Sequence, residues 1–233
     1  MKNKGKLSSE KESETKRKKT SAGSNGGSKN KRKEILLNLG CGVDLLPGFI
    51  NVDKYLDEKG IKSKKGLYAN AKIGKGAKFV KADITKLPFK DNYADYIECL
   101  EALEHLPFRQ VEVALREMYR VLKPGGKMVL MVPDMDDMCR GWLEKVTDKV
   151  FDHNTFFGLI QQFFGNQIHD GEYHKAGFTQ TYLKGVINAV GFSLEKIDIT
   201  LYPHGTHPPK FRGAAWNPRS VFVIGMDHVE ATK

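Results

Sequence analysis

Between Ile35 and Asp53 the chain reads ILLNLGCGVDLLPGFINVD, and this stretch leaves few folds open. Ile35, Leu36, Leu37 and Leu39 form a short apolar run bounded by Gly40, the pattern of a central parallel strand covered on both faces. Gly40 and Gly42 flank Cys41 and read as a sharp turn at the strand's carboxyl end. Open α/β sheets bind nucleotides there, because a glycine turn has no Cβ to hold the ligand off. Phe49-Ile50-Asn51-Val52 reads as a second strand ending in Asp53, whose carboxylate can accept both hydroxyls of a ribose.

Two nucleotide chemistries compete for such a turn. The dinucleotide fingerprint places a third glycine three residues after the second, for close helix packing and a pyrophosphate at the helix N-terminus. Here that position is Leu45, and no Lys-Ser/Thr of a P-loop follows. This argues against an NAD-linked oxidoreductase and for a ligand carrying adenosine but little phosphate, which S-adenosylmethionine fits.

Further pieces follow in order: KADITKLPF (Lys81 to Phe89), ADYIECLEALEHLP (Ala94 to Pro107) and LREMYRVLKPGGKMVLMVPD (Leu115 to Asp134). With LNLGCG and INVD they resemble the class I S-adenosylmethionine-dependent methyltransferases, specifically the small members with a methyltransferase type-11-like core. The resemblance covers roughly residues 35 to 134. It implies a Rossmann-like α/β fold with a mostly parallel seven-stranded sheet and a C-terminal antiparallel hairpin. It also implies a cofactor site built from Gly40, Cys41, Gly42, Asp53, Asp83, Ile84 and Glu101. Asp83 would accept from the adenine amino group and Ile84 would pack on the ring, although an Asp after a strand also serves as a helix cap. One departure stands out: only ten residues separate Gly42 from Asp53, so the helix that usually joins the first two strands must be short or replaced by a loop.

Charge is spread unevenly. Residues 1–33 hold twelve Lys or Arg against three Glu, so +9 of the chain's formal net charge of +10 lies there. Apart from Met1, Leu7 and Ala22 that segment has no aliphatic or aromatic side chain, too little apolar surface to offset its chain entropy. It reads as a disordered basic tail preceding one domain over residues 34–233. Lys16-Arg17-Lys18-Lys19 and Lys31-Arg32-Lys33 suit a polyanion contact or a nuclear address, with a solvated leader as the plain alternative. No apolar run follows these residues and no 18-residue apolar span occurs, so neither a signal peptide nor membrane insertion is expected. Cys41, Cys99 and Cys139 are odd in number and widely spaced, which points to a reducing compartment such as the cytoplasm.

Along the rest of the chain, residues 54–76 read as an irregular connection with one helical turn. Ala77 to Asp83 and Tyr93 to Leu100 read as strands, and Pro107 opens a helix with an apolar stripe of Val111, Leu115, Met118 and Leu122. Lys123-Pro124-Gly125-Gly126 stops that helix before a strand from Lys127 to Val132. Met135 to Gly165 holds two helices, read as a substrate lid, ordinary core or a dimer face. Thr179 caps a helix striped with Leu183, Val186, Ile187 and Val190. Phe192 to Leu201 and Arg219 to Met226 read as the closing antiparallel hairpin.

Candidate acceptor-side residues fall after the fourth strand and in the run from His169 to His174. His174 is the expected general base, with His169 and Glu172 placing it and His105 as the alternative; an unshifted imidazole of pKa about 6.5 accepts a proton near pH 7. A metal site at His169, Asp170, Glu172 and His174, or a plain surface loop, are the rival readings, and no metal is assigned. No Asn/Asp-Pro-Pro-Tyr/Phe follows the fourth strand, which favours O-methylation of a small molecule or glycan. The alternatives are a non-catalytic binding module with the same fold, or a nucleic-acid or protein methyltransferase guided by the tail.

Overall fold

The computed structural model describes residues 32–63, 71–146, 153–202 and 226–233. The expected disorder of residues 1–33 lies outside these, apart from residues 32 and 33. The first apolar run becomes β1, Leu36–Leu39, with Leu37 and Leu39 fully buried. It pairs in parallel with β3, Ile50–Asp53, on one side and β6, Ala94–Leu100, on the other. Outside them β5, Lys78–Lys81, joins β3, and β7, Leu122–Pro133, joins β6, both in parallel. Of the last two strands, β8 (Ile197–Tyr202) and β9 (Met226–Thr232), β9 is antiparallel to both β7 and β8. The seven-stranded order is β5-β3-β1-β6-β7-β9-β8. The strand expected from Arg219 to Met226 meets β9 only at Met226, and its remainder lies outside the described residues.

Strand order reverses between β1 and β6, so the carboxyl ends of these two strands form the switch point where open α/β sheets take ligands. Gly40-Cys41-Gly42 and Glu101 stand there. One face of the sheet is covered by α2 (Phe108–Val121) and α5 (Gln180–Ala189). Val111, Ala114, Leu115, Met118 and Val121 of α2 join Leu183 and Ile187 of α5 in a core shared with Leu37, Leu39, Val52 and Ile97. Each large apolar side chain fully buried here contributes about 1.5–3 kcal/mol. Thr179 caps α5 as expected, its hydroxyl accepting from Tyr182 N at 3.2 Å, whereas Pro107 is the N-cap of α2 and not its first residue.

Lys123-Pro124-Gly125-Gly126 does more than stop a helix. It is a bulge inside β7: pairing with β6 jumps from Ala94↔Leu122 to Tyr96↔Lys127, and Gly125 turns at φ 76° with its N–H donating to Lys233 O. Helix α3 (Met135–Val146) and helix α4 (His153–Phe164) follow β7 and pack together through Met138 and Leu159. Among the described residues no helix is long and apolar enough to cross a membrane.

The short path from β1 to β3 contains no helix. Its Asp44–Leu45 forms β2, paired in parallel with β4, Lys72–Ile73, and α1 (Glu58–Ser63) packs Ile61 against Cys41, Leu45 and Leu56. A loop in this place must satisfy its own backbone. Fully buried Asn51 does so: Oδ1 accepts from Leu46 N (2.8 Å) and Asn38 Nδ2 (2.9 Å), while Nδ2 reaches the carbonyls of Leu46, Phe49 and Lys78 within 3.3 Å.

Candidate active site

Two groups of residues meet at the carboxyl edge of β1, β3, β5 and β6. The first surrounds the glycine turn. Gly40 and Gly42 adopt φ 65° and 50°, the left-handed region that side chains disfavour. A Cβ on Gly40 would lie 2.3 Å from the Cβ of Ala102, so only glycine lets β1 pass the segment after β6. A Cβ on Gly42 would meet nothing within 4 Å, because that side is open. There a cavity of about 230 Å³ is lined by Gly40, Cys41, Gly42, Asn38, Glu98 and Glu101, among others.

Asp53 lies beneath this turn. Its Oδ2 accepts from Gly42 N at 3.1 Å and its Oδ1 from Tyr55 N (2.8 Å) and Leu56 N (3.1 Å). A carboxylate offers about four lone-pair positions, so three are engaged and one remains for a ribose hydroxyl. At the end of β5, Asp83 Oδ1 accepts from the backbone N (2.9 Å) and hydroxyl (2.7 Å) of Thr85, and Oδ2 faces Lys54 Nζ at 2.8 Å. Burial alone would raise the Asp83 pKa, but Lys54 and Thr85 outweigh it and hold the carboxyl below its ordinary range. Lys54 is a partner the sequence reading did not single out. Ile84 is buried beside Asp83. Of the expected cofactor residues the cavity touches Gly40, Cys41, Gly42 and Glu101, and not Asp53, Asp83 or Ile84. Burial, reinforced by the Asp53 charge, drives the Cys41 thiol pKa upward, so Cys41 is a packing residue and not a nucleophile.

S-adenosylmethionine fits these residues on one observation in particular. Glu98, 2% exposed, lines the cavity with Oε1 lacking a hydrogen-bond partner among the described residues, while Oε2 accepts from Tyr96 OH at 3.3 Å. An orphaned carboxyl oxygen in a cleft suits the ammonium of an amino-acid end. The cavity is smaller than the roughly 300–1,000 Å³ that encloses a drug-sized ligand, so it encloses one end only. Glu98 also escaped the sequence reading; an acid inside an otherwise apolar parallel strand was the available signal.

The second group lies past β6, where Leu103–His105 forms a 3-10 turn. His105 and His174 meet edge to face with ring centres 4.9 Å apart. Lys175 N and Ala176 N donate to the carbonyl of Glu104 (2.7 and 3.1 Å), and His174 N donates to Phe164 O, so the loop is tied to both β6 and α4. Gly165 permits this: at φ 78°, a Cβ would lie 1.8 Å from Glu172 O. The same loop passes over Tyr55, two residues beyond Asp53, with a Cβ on Gly171 only 2.8 Å from that ring. Thus the His-containing loop lies beside Tyr55, close to the end of β3.

Only two of the three expected histidines come together. His169 instead caps the 3-10 turn Asp170–Glu172, its Nδ1 accepting from Gly171 N at 3.1 Å, and its Nε2 faces Glu172 Oε1 at 3.3 Å. Glu104 takes its place beside His105 and His174. It is 2% exposed, and burial together with the neighbouring Glu101 charge pushes its carboxyl well above the ordinary range. Burial and then His174 push the His105 pKa down to about 4, and burial also lowers His174. Both imidazoles are therefore neutral near pH 7, yet His174 is a weaker base than an unshifted histidine.

Residues 37–130 match the family described as "Methyltransferase domain". A putative methyltransferase of Encephalitozoon cuniculi is 36% identical over 105 residues, 43% of this chain and 46% of that protein. A ubiquinone/menaquinone biosynthesis C-methyltransferase of Neisseria gonorrhoeae is 44% identical over 50 residues, 22% of this chain and 20% of its own. The chain thus spans less than half the length of either relative. A solved S-adenosylmethionine-dependent methyltransferase of Methanosarcina mazei shares the fold, with TM-score 0.55 and 18% identity over 86% of this chain and 92% of that one. The sheet order and the glycine turn are those of the class I S-adenosylmethionine-dependent methyltransferase fold, and residues 37–130 are similar to that family's domain. Residues 37–130 thus carry a type-11-like methyltransferase domain, a domain whose cofactor is S-adenosylmethionine.

Proposed function

We propose that the protein methylates a hydroxyl-bearing small molecule or glycan on oxygen. The observation that carries this reading is continuity: Glu101 lines the cofactor cavity, and three residues later Glu104 and His105 stand against His174. S-adenosylmethionine supplies an electrophilic methyl group that needs little activation, so the chain's work is alignment and exclusion of water. On this reading Gly40, Gly42, Asp53, Asp83 and Glu98 position the cofactor. The group of Glu104, His105 and His174 stands on the acceptor side, where a hydroxyl must lose its proton to form an ether. Exposed Phe164, Ile168 and Tyr173 flank the loop and suit an acceptor with an apolar part.

A second reading, methylation of a ring carbon beside a phenolic hydroxyl, is favoured by the 44% identity to a C-methyltransferase over 50 residues. Both readings require the hydroxyl to be deprotonated. Incubation with isotopically labelled methyl donor and panels of phenols, aliphatic alcohols, glycans, peptides and oligonucleotides separates them. A labelled methyl ether is the expected product. A labelled aryl carbon decides for the second reading, and label confined to peptide or oligonucleotide overturns both.

A further inference from the structure

Glu104, His105 and His174 each bring one donor atom to a common point, and these atoms lie within 4.8 Å of one another. Their hydrogen bonds show which atoms those are. Nδ1 of His105 is 3.3 Å from Tyr173 O, and Nδ1 of His174 is 2.8 Å from Gln162 O. A carbonyl can only accept, so each Nδ1 carries the hydrogen and each Nε2 is left with a lone pair. His105 Nε2 faces Glu104 Oε1 at 4.0 Å, too far for a hydrogen bond. Among the described residues, Glu104 Oε2 is buried with no hydrogen-bond partner. Lone pairs from two imidazole nitrogens therefore converge on a buried carboxyl that hydrogen-bonds to neither of them.

A divalent ion would complete this arrangement by displacing the proton that burial keeps on Glu104. A shared proton does not suffice at 4.0 Å, whereas an ion with bonds of about 2.0–2.2 Å holds its donors roughly 3–4 Å apart, within side-chain adjustment of the observed spacing. Anchoring Nδ1 on a backbone carbonyl is also how metal-bound imidazoles are oriented. Two imidazoles and one carboxylate suit first-row divalent ions such as Mn²⁺, Co²⁺ or Zn²⁺ better than Ca²⁺ or Mg²⁺, which prefer all-oxygen shells.

We propose that Glu104, His105 and His174 form a binding site for a divalent first-row metal ion at the rim of the cofactor cavity. Three protein ligands leave open positions, and a hydroxyl bound there has its pKa lowered and releases its proton to water. That last role rests on the reading that the acceptor is a hydroxyl. His105 and His174 then act on the acceptor through the ion. His169, held by Gly171 and Glu172, is not a ligand.

The test uses the full chain after treatment with a chelator, titrated with Co²⁺ alone and with Mn²⁺ alone, following Co²⁺ visible absorption and calorimetric heat. One ion per chain is expected. Glu104→Gln and His174→Gln, near-isosteric changes, each weaken binding at least tenfold, while His169→Gln leaves it within twofold. S-adenosylmethionine affinity, measured in parallel, shows that the variants are folded and stays within about threefold. No binding by the parent chain, or equal binding by Glu104→Gln and His174→Gln, overturns the site. If the ion binds as expected but label never reaches a hydroxyl, the metal site stands and the acceptor reading falls. If label reaches a hydroxyl equally well before and after chelation, the ion's proposed role is overturned.

Discussion

His105 shows how burial converts an ordinary side chain into a pH-sensitive one. In the unfolded chain its pKa is about 6.5, and in the folded chain burial, then His174, with smaller parts from Lys175 and His169, hold it near 4. Above pH 6.5 both states are neutral and the group has no effect on stability. Between about 6.5 and 4 the unfolded chain binds the proton and the folded chain does not, so stability falls as pH falls. The loss reaches about 3.5 kcal/mol at most, since the pKa lies about 2.5 below its ordinary value and each unit is worth about 1.4 kcal/mol, and it levels off below the folded pKa. Glu104 works in the opposite direction, because its raised pKa keeps a proton on the folded chain as pH rises. The comparison must therefore be differential. Chelator-treated parent and His105→Asn, unfolded with urea at pH 7 and at pH 5, are expected to lose stability unequally, the variant by at least 1 kcal/mol less. Equal losses would place the imidazole in a less buried setting.

At the scale of elements, β1 and β3 are joined by a loop without a helix, and Asp53 and Asn51 hold it. Asp53→Ala removes the acceptor for Gly42 N, Tyr55 N and Leu56 N together with one position for a ribose hydroxyl. Losing a charged acceptor costs about 1–3 kcal/mol, so calorimetry should show S-adenosylmethionine bound roughly 5- to 150-fold more weakly. Asp53→Asn, which keeps one acceptor oxygen, should lie between. Unchanged affinity in Asp53→Ala would remove this residue from the cofactor site. The sequence showed this element in outline: the strands, the glycine turn and the missing helix followed from Leu37, Gly40, Gly42 and a count of residues. It could not show that the Asp53 carboxylate is mostly engaged by its own backbone, because a strand-ending acid that caps a turn and one that binds a sugar look alike in sequence. Asn51 and Glu98 were unread for a related reason. Their roles depend on which strands neighbour them, and pairing such as Asn38↔Asn51 or Asn38↔Glu98 joins residues far apart in the chain. The same holds for Glu104, which entered the site in place of His169 because the loop through Lys175 and Ala176 hydrogen-bonds to its carbonyl.

For the whole molecule, the candidate active site and the charge occupy different parts of the chain. The cofactor cavity and the Glu104–His105–His174 group are built entirely between Asn38 and His174, whereas +9 of the formal net charge of +10 belongs to residues 1–33. A segment with twelve basic and three acidic residues and almost no apolar side chains is expected to gain little from packing and to attract polyanions over a Debye length. Counterion release then makes binding steeply salt-dependent, with log affinity falling against log salt by about 0.7–0.9 per phosphate neutralised. If six or more basic residues engage, affinity for an oligonucleotide should drop roughly a thousandfold between 50 and 200 mM salt. Fluorescence anisotropy with a labelled oligonucleotide, comparing the full chain with one beginning at Lys33, measures this directly. The full chain is expected to bind with a steep slope and the shortened one hardly at all, while melting temperature and S-adenosylmethionine affinity stay the same in both. Equal oligonucleotide binding by the shortened chain would move the polyanion contact onto the domain, and a large fall in melting temperature would show that residues 1–32 contribute to the folded core.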